Sequence, residues 1–253
     1  MYFLSLVISF LVIVLWYYYH SQNFVRTLMY HKVSKNKRDS LTVTVGDFEN
    51  QLAHLLLKGY QIISVDDLIK DKIPNKPVLI TFDDAYLNNL ELAYPVLKKY
   101  KFKATIFVPS AYIGKTSSWD VAAEPLLSVE QLQALDKEIF SLGLHSHQHK
   151  SYQNLSSDEI RDDLEQNINF FKNHHLDFIP AFAYPFGARP KSKNQQVAMY
   201  QIFKELGIKF AFRIGNRLNI WPSKNLYQIQ RIDVRGVDSF NVFKRKLKWG
   251  KII

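Results

Sequence analysis

Short β-rich apolar runs alternate with helix-period patterns from residue 23 to residue 253, with no linker, low-complexity tract or internal repeat between them. That alternation constrains the fold more than any other feature. A chain that travels from strand to strand through a helix builds parallel pairs, and a parallel sheet needs helices covering it. The predicted strands are 27–31, 61–65, 78–82, 104–108, 140–145, 179–184, 209–213 and 228–232. Between them, Asp47 is expected to cap a helix to residue 58 with Phe48, Leu52, Leu55 and Leu56 on its inner stripe. Ser157 or Asp158 opens another, in which Ile160, Leu164, Ile168 and Phe171 recur at three- and four-residue steps. Helices over 87–100 and 194–205 complete the set, and Gly207 stops the last. An open doubly wound sheet and a closed barrel both satisfy this pattern. The polar residues favour the barrel, because Asp83-Asp84, His145 to His149, Tyr184-Pro185 and Asp233 all fall at or just after strand C-termini. A parallel barrel assembles its active site there. The expected fold class is therefore α/β, a distorted (β/α) barrel of mainly parallel strands.

Thr81-Phe82-Asp83-Asp84 closes the apolar run Val78-Leu79-Ile80, and His145-Ser146-His147-Gln148-His149 follows about sixty positions later. Adjacent carboxylates on one strand end are too close to act as a glycosidase pair, whose carboxyl groups stand roughly 5 to 9.5 Å apart across the scissile bond. One metal ligand and one base is the better division of labour. An Asp-Asp pair at a strand exit is also ordinary turn chemistry. The histidines decide between these readings. His145 and His149, four apart, come to one side in a helical or tightly turned segment, with His147 pointing away. Three protein ligands of this kind leave a coordination position for water.

The 253 residues contain no cysteine, which excludes disulfides, thiolate ligands and a cysteine nucleophile. A net charge of +10 would favour nucleic acid, anionic lipid or acidic polymer, but its basic residues are scattered apart from clusters at 32–38 and 244–251. No nucleic-acid-binding signature accompanies them, and no nucleic-acid partner is expected. Residues 2–19 are apolar except for Ser5, Ser9 and tyrosine hydroxyls, and Trp16 to Tyr19 would form an interfacial belt. Without a basic leader or a small-residue cleavage site, residues 1–22 read as an uncleaved transmembrane helix in contact with membrane lipid, followed by a catalytic domain over 23–253. Arg26, Lys32, Lys35, Lys37 and Arg38 follow the apolar run, an asymmetry that taken literally keeps the following domain in the cytoplasm. These charges can belong to a folded domain, and long domains translocate regardless, so the side stays open. The segment Lys244-Arg245-Lys246-Leu247-Lys248-Trp249 reads as a helix, either solvated or resting on anionic lipid.

Three motifs in order, Thr-Phe-Asp-Asp, His-Ser-x-x-His and Tyr-Pro-Phe-Gly, closely resemble those of the polysaccharide deacetylases, carbohydrate esterase family 4. The resemblance spans roughly residues 28–234. Leu28-Met29-Tyr30-His31 is similar to the first strand of a subgroup acting on surface or biofilm polysaccharides. The resemblance implies a divalent cation, zinc first with cobalt or nickel as alternatives, held by Asp84, His145 and His149. It implies Asp83 as general base and the Phe186 backbone N–H as oxyanion donor. The substrate it implies is an N-acetylated amino sugar in a polysaccharide or lipid-linked glycan, hydrolysed to release acetate. Tyr184, Pro185, Trp119 and Arg231 are the expected substrate contacts.

Two departures stand out. The family's third motif commonly has an arginine two residues before its proline, in contact with the base, where this chain has Ala183; Arg231 or Arg213 is the candidate replacement. Many members also draw the general acid from a histidine near the C-terminus, but the last histidine here is His175, which leaves His31 or Asp83 itself. These departures motivate a rival, a carbohydrate-binding relative without catalysis. A second rival is a basic membrane protein that holds anionic polymer through charge alone.

Overall fold

The computed structural model describes residues 24–120 and 123–250 together with the helical positions Val7, Phe10, Ile13 and Val14. The expected anchor, residues 1–22, lies outside the described residues but for those four positions. Among the described residues, no helix is long and apolar enough to cross a membrane.

In chain order the strands are β1 (Phe24–Tyr30), β2 (Lys32–Ser34), β3 (Thr42–Thr44), β4 (Gln61–Ile62), β5 (Pro77–Asp83), β6 (Ala104–Val108), β7 (Phe140–Leu144), β8 (Ala181–Ala183), β9 (Phe210–Ile214), β10 (Asn219–Ile220) and β11 (Ile229–Asp233). The helices are α1 (Val45–Leu57), α2 (Val65–Ile69), α3 (Tyr94–Tyr100), α4 (Val129–Gln133), α5 (Ser157–Asn173), α6 (Lys193–Glu205) and α7 (Phe240–Trp249). Parallel pairing runs β5-β6-β7-β8-β9-β11-β1 and returns from β1 to β5, which closes a seven-stranded barrel. β4 extends β5 outside the ring, and β10 lies antiparallel on β1. The expected distorted barrel is therefore observed. Alternation divides its core, since residues two apart on a strand share a face. Leu79, Phe107, Ala181, Phe210, Phe212 and Ile229 form one buried cluster, and the residues between them pack beneath the helices in a larger one.

Several boundaries differ from expectation, for local reasons. Thr44, not Asp47, caps α1: its hydroxyl accepts from the Asp47 N–H at 3.1 Å, and Asp47 is the first-turn acid behind it. Leu56 is exposed; the inner stripe instead contains Gln51, whose side chain accepts from the buried Tyr30 hydroxyl at 2.8 Å. Ser156 rather than Ser157 or Asp158 opens α5, in a capping box with Glu159. The strand over 61–65 shortens to two residues because Ser64 caps α2 in the same way. The helix expected over 87–100 divides into a π-helical turn at Asn89–Ala93 and α3, with Pro95, which has no N–H to donate, at the junction.

Candidate active site

Regular pleating would send Asp83 and Asp84 to opposite faces, and the backbone departs from it at that point. Asp83 is the last residue of β5, whereas Asp84 and Ala85 have φ of 72° and 55°. Two successive left-handed residues cost about 1–3 kcal/mol each. They swing the Asp84 carboxylate back over the barrel end beside that of Asp83. Both are buried. His145 follows the last residue of β7, and the loop reverses through Ser146 and His149 at φ of 71° and 52°, so the histidine pair converges by left-handed turns and not by a helix.

One potential ligand atom each from Asp84, His145 and His149 lies within 4.8 Å of the others. Asp84 Oδ1 stands 3.1 Å from His149 Nε2 and 3.4 Å from His145 Nε2. His145 Nδ1 lies 2.7 Å from the Ala183 carbonyl, which can only accept, so Nδ1 carries the proton and a neutral ring turns its Nε2 lone pair toward Asp84. Asp84 Oδ1 is buried and has no hydrogen-bond partner of good geometry. Three buried lone-pair donors facing one point are costly without a positive charge among them, and this donor set fits a divalent cation of the zinc, cobalt or nickel type.

Electrostatics follow from the same crowding. Burial alone would raise the Asp84 carboxyl, but His149 and then His145 hold it well below the usual carboxylate range. Burial would likewise raise Asp83; Arg231, aided by His145 and His31, holds it below its ordinary value. Burial would lower His145, yet the Asp83 and Asp84 carboxylates outweigh it and raise the imidazole.

Arg231 is the decisive neighbour of Asp83. Its two terminal nitrogens donate to the two carboxylate oxygens at 2.5 and 2.6 Å, reaching from β11 past β1 to β5, with Phe107 beneath the guanidinium at 5.6 Å. The fork fixes the carboxylate plane as well as its charge. Arg231 thus occupies the role left vacant at Ala183. Its side chain is fully buried, and its charged contact in this structure is Asp83. Arg213, the other candidate, points to the opposite face, two residues from Ala211 in the helix-covered cluster. His31 follows the last residue of β1, with Nε2 4.0 Å from Asp83 Oδ2, near enough to share a substrate but beyond a hydrogen bond.

Tyr184 and Pro185, also expected as sugar contacts, lie at the start of the turn of the third motif. Both are buried, and the Tyr184 hydroxyl donates to the Tyr227 carbonyl at 3.0 Å. They support the turn that presents Phe186, which has φ of 57° and sets its ring 4.8 Å from His149. Gly187 makes this turn possible: its φ is +63°, and a Cβ there would lie 2.9 Å from Ile214. Trp119 covers the other side of His149 at 4.0 Å. Its loop is tied down by Asp120, which accepts from the Tyr86 hydroxyl at 2.5 Å, Ser117 at 3.0 Å and the buried Lys32 ammonium at 3.2 Å.

Sequence reasoning missed the supports of the histidine loop. Asp163 on α5 accepts from the N–H groups of His147 and Gln148 at 3.1 and 2.9 Å and from the Tyr152 hydroxyl at 2.7 Å. Asn167 donates to Ser110 Oγ at 2.7 Å, and Ser110 in turn pairs with His147 Nδ1 at 2.9 Å. His147 accordingly turns away from Asp84, His145 and His149. A signal was available, since Asp163 and Asn167 fall on the apolar stripe of α5, where a polar residue needs a buried partner.

A family model described as polysaccharide deacetylase matches residues 70–211, more than half of the chain. The chain belongs to the polysaccharide deacetylase family. A Bacillus subtilis relative named "Putative polysaccharide deacetylase YxkH" is 34% identical over 165 residues, which is 63% of this chain and 56% of that protein. The chain thus matches little more than half of that relative's length. The poly-beta-1,6-N-acetyl-D-glucosamine N-deacetylase of Staphylococcus aureus (strain MRSA252) is 26% identical over 228 residues, covering 83% of this chain and 73% of the relative. Among solved structures, the Streptococcus pyogenes deacetylase PplD superposes with a TM-score of 0.73 at 22% identity, over 90% of this chain and 99% of PplD. IcaB from Ammonifex degensii gives a TM-score of 0.73 at 22% identity, over 90% and 97% of the two chains. At that identity the likeness is one of fold.

Proposed function

We propose that this chain is a metal-dependent carbohydrate N-deacetylase that hydrolyses the acetamide of an amino sugar in a polysaccharide or lipid-linked glycan. The observation that carries the reading is the convergence of Asp84, His145 and His149 next to an Asp83 held by Arg231, at the barrel end where parallel barrels react. Asp84, His145 and His149 would hold a divalent cation, which would supply Lewis acidity for the hydrolysis. Asp83 takes the proton of the attacking water, with Arg231 keeping its carboxylate in one orientation. The Phe186 N–H donates to the carbonyl oxygen as that atom gains charge. His31 delivers a proton to the departing nitrogen. The amide C–N bond breaks and a C–O bond forms; acetate leaves and the amine remains on the sugar. Trp119, which covers His149 with one face of the site, is the sugar platform. Residues 1–22 anchor the enzyme in a membrane as a single span.

The S. aureus relative's name puts poly-β-1,6-N-acetylglucosamine first in a panel of N-acetylated glycans. Acetate release should vanish with chelator and return with zinc, cobalt or nickel. Asp83→Asn should keep its metal and lose about 10²- to 10⁴-fold in kcat, the usual contribution of a positioned base. Full activity in that variant, or in chelator, refutes the mechanism. An inactive sugar-binding relative is disfavoured because Arg231 supplies the guanidinium that the third motif lacks.

A further inference from the structure

The catalytic machinery leaves one conspicuous surface unused. α7 and its preceding turn contain Arg235, Lys244, Arg245, Lys246 and Lys248 but one acid, Asp238, and that acid pairs with Lys246. The helix buries Phe243 and Leu247 and turns outward Phe240, 42% exposed, and Trp249, 54% exposed, interleaved with Lys244, Arg245 and Lys248. Cations are seated on the aromatic rings: Lys244 lies 5.2 Å over Phe240 and Lys248 4.6 Å over Trp249. The surface continues onto the end of α1. His54 meets Phe240 at 5.5 Å, and beyond it Leu57 is 80% exposed beside Lys58, whose carbonyl accepts from Lys76 at 3.0 Å.

This surface adjoins the start of the barrel. Arg26 of β1 donates to the Leu247 carbonyl of α7 at 2.9 Å and sits 5.2 Å over Tyr60, three residues beyond Leu57. Phe24, where the described barrel begins, follows the apolar run of residues 2–19 in the sequence. Seven residue steps then separate Phe24 from His31 by about 23 Å, at the usual rise per strand residue.

We infer that the outward face of α7, with the C-terminal turn of α1, docks on an anionic lipid surface. Exposed Phe, Trp and Leu beside lysines and an arginine, with no acid from Phe240 to Trp249, match the composition by which interfacial helices bind negatively charged bilayers. The inference does not depend on the deacetylase reading, and its test reads no activity.

The full chain is mixed with phosphatidylcholine vesicles, or with phosphatidylcholine vesicles containing phosphatidylglycerol, and amide hydrogen exchange is followed in residues 240–250 and 54–58. With the anionic vesicles, exchange in both segments slows about tenfold or more, and added salt reverses the effect. K244E/R245E/K248E abolishes the slowing while the thermal midpoint stays within a few degrees of the parent. A second variant, F240S, reduces the slowing without changing charge. Exchange that is equal with and without anionic vesicles overturns the proposal, even if the chain binds them through residues 1–22. Slowing that persists in the charge-reversed variant overturns it equally.

Discussion

Arg231→Met in metal-free protein isolates the buried ion pair at the centre of the site. Methionine approximates the volume and leaves the Asp83 carboxylate buried without its bidentate partner. Removing one member of a buried pair costs about 3–5 kcal/mol. His145 and His31, at 3.9 and 4.0 Å from Asp83, offset part of the loss, so the lower end applies. For a chain of this length that corresponds to a fall of roughly 10 °C in thermal midpoint. The pH dependence gives the sharper test. In the parent, the folded Asp83 carboxyl is held below its unfolded value, so its stabilisation is complete above about pH 4 and is lost as pH falls through the lower folded value. Without the guanidinium, burial raises the folded value instead, and the penalty appears above about pH 4 and fades as the group protonates. Calorimetry in chelator at pH 7 and at pH 4 should therefore show the gap between parent and variant narrowing on acidification. The double change Asp83→Asn with Arg231→Met should recover much of the loss at pH 7. A midpoint shift under about 2 °C, or one equal at both pH values, contradicts the reasoning.

Asp163→Ala should loosen the histidine loop and weaken zinc binding about 10- to 100-fold by titration calorimetry, as loss of an outer support usually does, with Asp163→Asn intermediate. Thr44→Ala removes the cap of α1 and should cost about 1 kcal/mol in chemical unfolding, with no effect on metal affinity. Trp119→Ala should raise KM for an oligosaccharide several-fold more than it lowers kcat, corresponding to about 1 kcal/mol of lost aromatic contact; an equal fall in kcat would assign Trp119 to the chemistry instead.

The sequence alone determined the architecture and most of the site because its signals are local. Strand and helix periods follow from which neighbouring side chains are apolar, so the seven barrel strands were legible, and so were Asp83, Asp84, His145 and His149 at strand ends. Cap positions slipped by one to three residues because Thr44 competes with Asp47, and Ser156 with Ser157, for similar backbone donors. What only tertiary structure decided was pairing between distant segments. Arg231 lies 148 residues from Asp83, and nothing in either one's neighbours tells which carboxylate the guanidinium will meet until the barrel closes. The same holds for Asp163 beneath the histidine loop, and for Tyr184, whose motif position marks a site while its side chain faces the helices. Alternation along a strand gives two faces, but closure of the ring determines which face becomes the catalytic interior.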